Sequence, residues 1–260
     1  MVVLASRYLT NSGAGPMIED SSDAARRRLV RTLIGGLFGI TGLAYESWAV
    51  DLFGGRPGKL PPGRSIYRIT GKVLVNGTAA DAATHIAAGD TIETSAGSEL
   101  VFAVGSSAHL AREKSHVVFE AAEGSAEHVA GITLHQGKIL SVFGSAASRL
   151  VTPTAAINQA SGGSYTEADA EQTYFCNCYG ASEIAAVKDP QSTQNVVTQH
   201  HDKPLYIVAD AQPGNAIRSA PFINHTDQEL MLIEALVGRR PPFTFPAGQY
   251  NAPRPGRQYD

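Results

Sequence analysis

Cysteine is scarce in this chain of 260 residues: there are 2, at Cys176 and Cys178. A framework of stapled loops is thereby excluded, and a chain of this length can bury a core large enough to do without one. Charge is thin as well. Charged residues make up 17% of the chain, the net charge is -3, and the 21 basic residues form no stripe interleaved with aromatics. A nucleic-acid partner is therefore not expected. Aromatic residues reach only 7%. The chain also lacks a Gly-x-Ser-x-Gly elbow, a phosphate-cradling Gly-Lys-Ser/Thr loop and a His-Glu-x-x-His helix. The common nucleophile, nucleotide and zinc-protease arrangements are absent, and the expectation is a protein that is not an enzyme. What is abundant is apolar residues, 43% of the chain, with 26 Gly and 14 Pro to punctuate them. That balance describes a folded, turn-rich chain rather than a disordered one.

The amino-terminal 25 residues are polar and irregular, and they run into Arg26, Arg27 and Arg28. The uncharged stretch from Leu33 to Ala44 that follows is diluted by glycine. It has the length of a signal h-region rather than the ~20 residues of a spanning helix. The run Arg26-Arg27-Arg28-Leu29-Val30-Arg31 resembles the twin-arginine export pattern, which a receptor reads as an address. Small-x-small cleavage sites occur at Gly42-Leu43-Ala44 and Ser47-Trp48-Ala49. The expectation is an export segment over residues 26–49, with residues 1–25 cytoplasmic and the rest periplasmic. Two alternatives stand beside it. Residues 29–50 form an uncleaved helix that anchors the chain in a bacterial inner membrane, with Arg31 and Glu46 snorkelling near its ends, or they form a buried core helix.

Residues 50–64 read as a Gly/Pro linker, because Leu52 to Gly63 offers little to pack. From Ser65 onward short apolar runs alternate with turn dipeptides. Ile66 to Val75 meets Asn76-Gly77, Gly89-Asp90 precedes Thr91 to Thr94, and Leu100 to Val104, Val117 to Phe119, Ile132 to His135 and Ile139 to Phe143 follow. Runs of this length, rich in Val, Ile, Thr and Phe, predict strands closing a β-sandwich or a short irregular β-solenoid over residues 65–210. Gly162-Gly163 reads as a turn. His85, His109, His116, His128 and His135 are scattered and read as surface or strand-edge residues. Residues 211–242 hold one amphipathic helix: Thr226-Asp227-Gln228-Glu229 is a capping box, and Leu230, Ile233 and Val237 repeat at helical spacing. Its apolar face is expected to dock on the β domain or on a partner. Residues 243–260 read as a flexible Pro/Gly-rich tail.

The order of these pieces resembles the FecR domain, a periplasmic β module of bacterial envelope-signalling proteins. Gly71 to Gly77 resembles its opening strand and turn, and Ala88-Gly89-Asp90-Thr91-Ile92-Glu93-Thr94 with Gly97-Ser98 resembles its central step. Leu134 to Leu140 and Leu150 to Ala155 resemble the steps that follow. The resemblance spans residues 66–187, about half the chain, and implies a mostly β fold. The segments Thr173 to Gly180, His200-His201-Asp202 and Asn224 to Pro242 resemble a stand-alone, exported subgroup. The chain departs from the family at Asn158 to Tyr165, where an Arg-Gly-Thr turn is usual. The 25 residues ahead of the apolar stretch are too few for a cytoplasmic anti-sigma domain, so sigma-factor regulation is not implied. No biochemical activity comes with the resemblance.

Chemistry concentrates in one place. Cys176 and Cys178 flank Asn177 in a strand-like run, so both sulfurs project from the same sheet face. A bridge between them would be strained. They read as buried thiols, as a redox-active pair, or as half of a soft-metal site for zinc or copper completed by His200 and His201, with His225 further on. Adjacent histidines on a strand point to opposite faces, so both can reach one ion only from a turn, which Asp202-Lys203-Pro204 makes plausible. Three functions remain open: a non-enzymatic periplasmic binding or interaction module serving envelope sensing or scaffolding, a periplasmic metal or thiol-redox protein, or an accessory subunit of a membrane complex. Each implies a protein partner or ion in the envelope, and membrane contact only through residues 29–50.

Overall fold

A computed structural model of the chain describes residues 58–144 and 147–243. The export or anchor segment at residues 26–49, the polar region before it, most of the linker and the tail beyond residue 243 lie outside the described residues. Among the described residues, no helix is long and apolar enough to cross a membrane. Those residues are mostly β: fourteen strands and one α-helix.

The strands are β1 (Ile66–Thr70), β2 (Val73–Val75), β3 (Thr78–Ala79), β4 (Thr91–Thr94), β5 (Glu99–Val104), β6 (Ser107–Ala111) and β7 (His116–Ala122). They continue with β8 (Ser125–Phe143), β9 (Ser148–Val151), β10 (Ala155–Ala168), β11 (Gln172–Ala186), β12 (Thr193–Thr198), β13 (Leu205–Val208) and β14 (Ile217–Ser219), before helix α1 (Asp227–Leu236). Asn76 and Gly77 both take positive φ, 51° and 76°, which closes the two-residue hairpin between β2 and β3 as their side chains predict. Gly71 splits the run from Ile66 to Val75 into two strands. Its φ is 72° and Ser98 crowds the place a Cβ would take, so β1 turns away to pair with β5 while β2 pairs with β4.

Three long strands exchange partners along their length, and this bends one hydrogen-bonded sheet around its core. The first part of β8 lies beside β7, and its second part lies between β6 and β10. The first residues of β11 pair with β13, and its last with β12. Gly162-Gly163, read from sequence as a turn, sits inside β10 instead. Gly162 (φ 108°) faces Gly180 (φ 102°) across the ladder, and a Cβ on either would strike the opposite backbone within about 2.3 Å. The pair supplies a bend flanked by bulges rather than a reversal. The stretch Asn158 to Tyr165, where the family turn is missing, is therefore strand.

Alternation along the strands separates two apolar clusters. Leu100, Phe102 and Val104 of β5 point into an inner core with Phe119, Ile132, Leu134, Ile157 and Phe175, enclosed by strands. Val101 of β5 points the other way, into an outer cluster with Leu110, Leu140, Val142, Tyr165, Cys176 and Cys178. Residues on both faces of β5 and β11 are buried, which is why their sequences run apolar without a clean period of two. Helix α1 covers the outer cluster with Leu230, Ile233 and Leu236, packing on β5, β6 and β8. The capping box at its start is formed: the Thr226 side chain accepts from the Glu229 N–H while Glu229 accepts from the Thr226 N–H. Leu60, inside the segment read as a linker, donates its N–H to Leu236 O at 3.0 Å and packs against the same cluster.

His109 corrects another reading. It is fully buried on β6, among the rings of Phe102, Phe119 and Phe143, with Nδ1 2.9 Å from Ser141 Oγ and no partner on Nε2. Burial drives its pKa down to about 3, so the ring is neutral. Sequence spacing could not show this, because β6 is buried at every position rather than at alternate ones.

Candidate metal centre

Cys176 and Cys178 leave β11 on the face covered by α1, and both are fully buried. Asn177 between them points into the opposite face, where it donates to Gly180 O and to Val196 O. Across from the sulfurs lies the bend after β12. His201 takes a positive φ of 52°, and its N–H donates to Cys178 O at 3.0 Å, which ties the bend to β11. Asp202 holds the bend by accepting from the N–H of Gln199 and of His200. The turn that would let adjacent histidines diverge from strand geometry is thus present. It separates their tasks: His201 turns inward with its side chain 7% exposed, and His200 stays outward at 37%.

The inner position is completed by His225 rather than His200. His225 precedes the N-cap of α1, is 2% exposed and stacks on Tyr165 with ring centroids 4.5 Å apart. Its Nδ1 lies 2.7 Å from Ile223 O. The ligand atoms of Cys176, Cys178, His201 and His225 all lie within 4.8 Å of one another. Cys176 Sγ is 3.4 Å from His201 Nδ1, Cys178 Sγ is 3.4 Å from His225 Nε2, and the two inner nitrogens are 3.2 Å apart. A zinc ion with bonds of ordinary length to two sulfurs and two nitrogens spans tetrahedral edges of about 3.6 Å for S···N and about 3.3 Å for N···N. The observed spacings agree within a few tenths of an ångström.

The outer nitrogens decide what the inner ones offer. A backbone carbonyl and an ionised carboxylate accept and never donate, so His225 Nδ1 donates to Ile223 O and His201 Nε2 donates to Asp227 Oδ1 at 2.9 Å. In neutral rings both inner nitrogens then carry lone pairs, facing each other at 3.2 Å beside two sulfurs. Either a proton or a cation must take them.

The charges in the cluster are tuned accordingly. Burial by itself raises the Cys176 thiol, but hydrogen bonds with Cys178, His201 and His225 outweigh it and hold the group well below its ordinary value. Cys178 is pushed up, by burial and by the neighbouring Cys176 sulfur. Burial opposes charge on His201 too, yet Asp227 and Cys176 outweigh it and raise the ring to about 9. Asp227 is held below the usual carboxylate range, its burial overcome by hydrogen bonds from His201 and His200. Both shifts run toward a charge pair, the Cys176 sulfur drawn toward the thiolate form and the His201 ring toward the imidazolium.

Of the residues proposed from sequence, Cys176, Cys178 and His201 meet. His200 does not reach the sulfurs; its Nε2 lies 3.0 Å from both carboxylate oxygens of Asp227. In sequence Asp227 is legible only as part of a helix start, and its second contact, across the chain to His201, has no signature in local sequence. Elsewhere Glu167 lies in β10 and accepts from Tyr165 Oη and Asn224 Nδ2, both at 2.7 Å.

No protein-family profile matches the chain, and no curated protein matches it. Two crystal structures of a candidate anti-sigma factor from Parabacteroides distasonis, at 1.65 and 2.50 Å resolution, are similar to it at 9% and 10% identity, each with a TM-score of 0.40. The similarity covers 50% of this chain and 58% of theirs, so the chain spans little over half their length. At these values the likeness assigns neither a family nor an activity.

Proposed function

We propose that the chain is an exported, non-enzymatic binding module of the bacterial envelope, built on a FecR-like β domain, in which Cys176, Cys178, His201 and His225 hold one structural zinc ion. The observation that carries the metal reading is the pair of imidazole nitrogens facing each other at 3.2 Å, each with its outer nitrogen committed to an acceptor, between two buried sulfurs. Four protein ligands in a tetrahedral S₂N₂ set suit zinc, and they leave no open position for a substrate or an activated water, which favours a structural role. Cuprous copper fits the same donors less specifically. The twin-arginine address is consistent with this role, because that route carries proteins that have already folded around a metal. An envelope protein is the partner such a module would serve.

Elemental analysis of the purified full chain tests the metal reading directly. One zinc per chain is expected, with a cobalt-substituted form showing the absorption of a tetrahedral thiolate site, and with Cys176→Ser and His225→Ala each losing the metal. Absence of zinc, copper and iron, with both thiols freely titratable, sinks it.

A second reading has its own observation. Cys176 Sγ, His201 and Asp227 form a relay at 3.4 and 2.9 Å that draws the Cys176 thiol well below its ordinary pKa, the arrangement of an activated nucleophile. Complete burial of Cys176 counts against it, since a substrate carbonyl has no route to the sulfur. Rapid, stoichiometric alkylation of Cys176 by iodoacetamide in the folded chain as purified, with no metal found by elemental analysis, would favour the nucleophile over the structural site.

A further inference from the structure

Resting on that metal reading, we infer that Asp227 is the positioning residue of the centre and that, from the first turn of α1, it couples metal loading to the seating of the helix. The side chain is 2% exposed and its carboxylate receives both His201 Nε2 and His200 Nε2. A carboxylate on the outer nitrogen of a ligating histidine sets the ring's tautomer and orientation and raises its basicity. Here the orienting group is not on the scaffold that carries the ligand. His201 sits in the bend after β12, whereas Asp227 is the opening residue of α1, two positions beyond the fourth ligand, His225.

The ligand set therefore divides into two bodies. Cys176, Cys178 and His201 belong to the sheet and its connecting bend; His225 and Asp227 travel with α1. Bringing the ion to four ligands requires the helix start to be in place, and removing the ion leaves that start held by the Asp227 contacts with His200 and His201, by Arg112 on Asn224 O and by Asn224 on Glu167. Further along the helix the anchors are of other kinds. Glu229 pairs with Arg112 at 2.7 Å, Glu234 accepts from Tyr179 Oη and from Arg239, and Leu230, Ile233 and Leu236 rest on Val101, Leu110 and Leu140. Gly163 clears the space that this requires: a Cβ there would sit 2.7 Å from the Tyr179 ring and 3.2 Å from Leu230. Ile233 lies six positions along the helix from Asp227 and offers no ligand atom, so truncating it loosens the packing of α1 on the outer cluster while leaving every donor in place.

The experiment uses the full chain as wild type, Asp227→Asn and Ile233→Ala, with zinc affinity read by competition against a chromophoric chelator, cobalt spectra, and hydrogen exchange of the α1 amides with and without zinc. Asp227→Asn should weaken zinc 10- to 100-fold while the cobalt spectrum still reports two thiolates. Zinc removal should speed exchange in α1 far more than in β5, β6 and β8. By reciprocity, Ile233→Ala should also weaken zinc several-fold, although it leaves all four ligands intact. Wild-type affinity in Asp227→Asn overturns the positioning role. Wild-type affinity in Ile233→Ala, or α1 exchange indifferent to zinc, overturns the coupling. Failure of the wild-type chain to bind zinc or cobalt at all strikes the metal reading itself, which separates the two failures.

Discussion

The two apolar clusters of this protein are closed by different means. The inner core is walled by strands whose backbones are hydrogen-bonded to one another, and its largest side chains, Phe102, Phe119 and Phe175, have no exposed surface. The outer cluster buries comparable residues, but its lid is the ten-residue helix α1 with its capping box, ion pairs and candidate metal ligands. A helix this short is marginal by itself in water, so it owes its form to what it touches. Strand walls make burial a property of the whole sheet. A helical lid makes it depend on a handful of anchors that can be removed one at a time.

The sharpest way to break the comparison is a truncation in each cluster. Phe119→Ala empties space inside the strand walls and should cost roughly 3 to 5 kcal/mol, lost in a single transition in urea and unchanged by zinc. Leu230→Ala under the lid should cost roughly 2 to 5 kcal/mol, and part of that loss should depend on zinc because the lid carries two of the residues around the ion. Equal zinc dependence for both variants would erase the distinction.

A difference in acid response follows from the inner core alone. His109 takes no proton in the folded state until about pH 3, whereas the unfolded chain takes one below about 6.5. The unfolded state binds more protons throughout that window, so stability is present above it and is lost as pH falls through it. By pH 5 the loss from this group should reach about 2 kcal/mol. His109→Phe should flatten that limb in denaturation curves compared with wild type at each pH. The smallest effect belongs to the helix start: Thr226→Ala removes the side-chain acceptor for the Glu229 N–H and should cost about 1 kcal/mol, seen first as faster amide exchange in α1.

Legibility in sequence follows the range of the interaction. The Asn76-Gly77 hairpin, the capping box at Thr226 and the shared face of Cys176 and Cys178 all depend on residues within a few positions, and their side chains announce them. The Gly162-Gly163 bend was not recognisable, because the same pair serves a reversal or a bulged strand, and the choice is made by Gly180 approaching from β11. His109 was hidden by the burial of both faces of β6. The choice of His225 over His200 was hidden by a single backbone angle, the positive φ at His201 that sends the neighbouring rings in different directions.

From its own sequence this chain was committed to strands, to a capped helix near its carboxy end and to a pair of sulfurs on one face, because each follows from local periodicity and side-chain chemistry. Only the tertiary structure decided that the face is the one α1 covers, that His201 and His225 complete the set, and that Asp227 serves the helix and the histidines at once. Those decisions join residues some 25 to 50 positions apart. Contacts at that range depend on how the sheet bends and where the helix lands, and neither is written in any one segment.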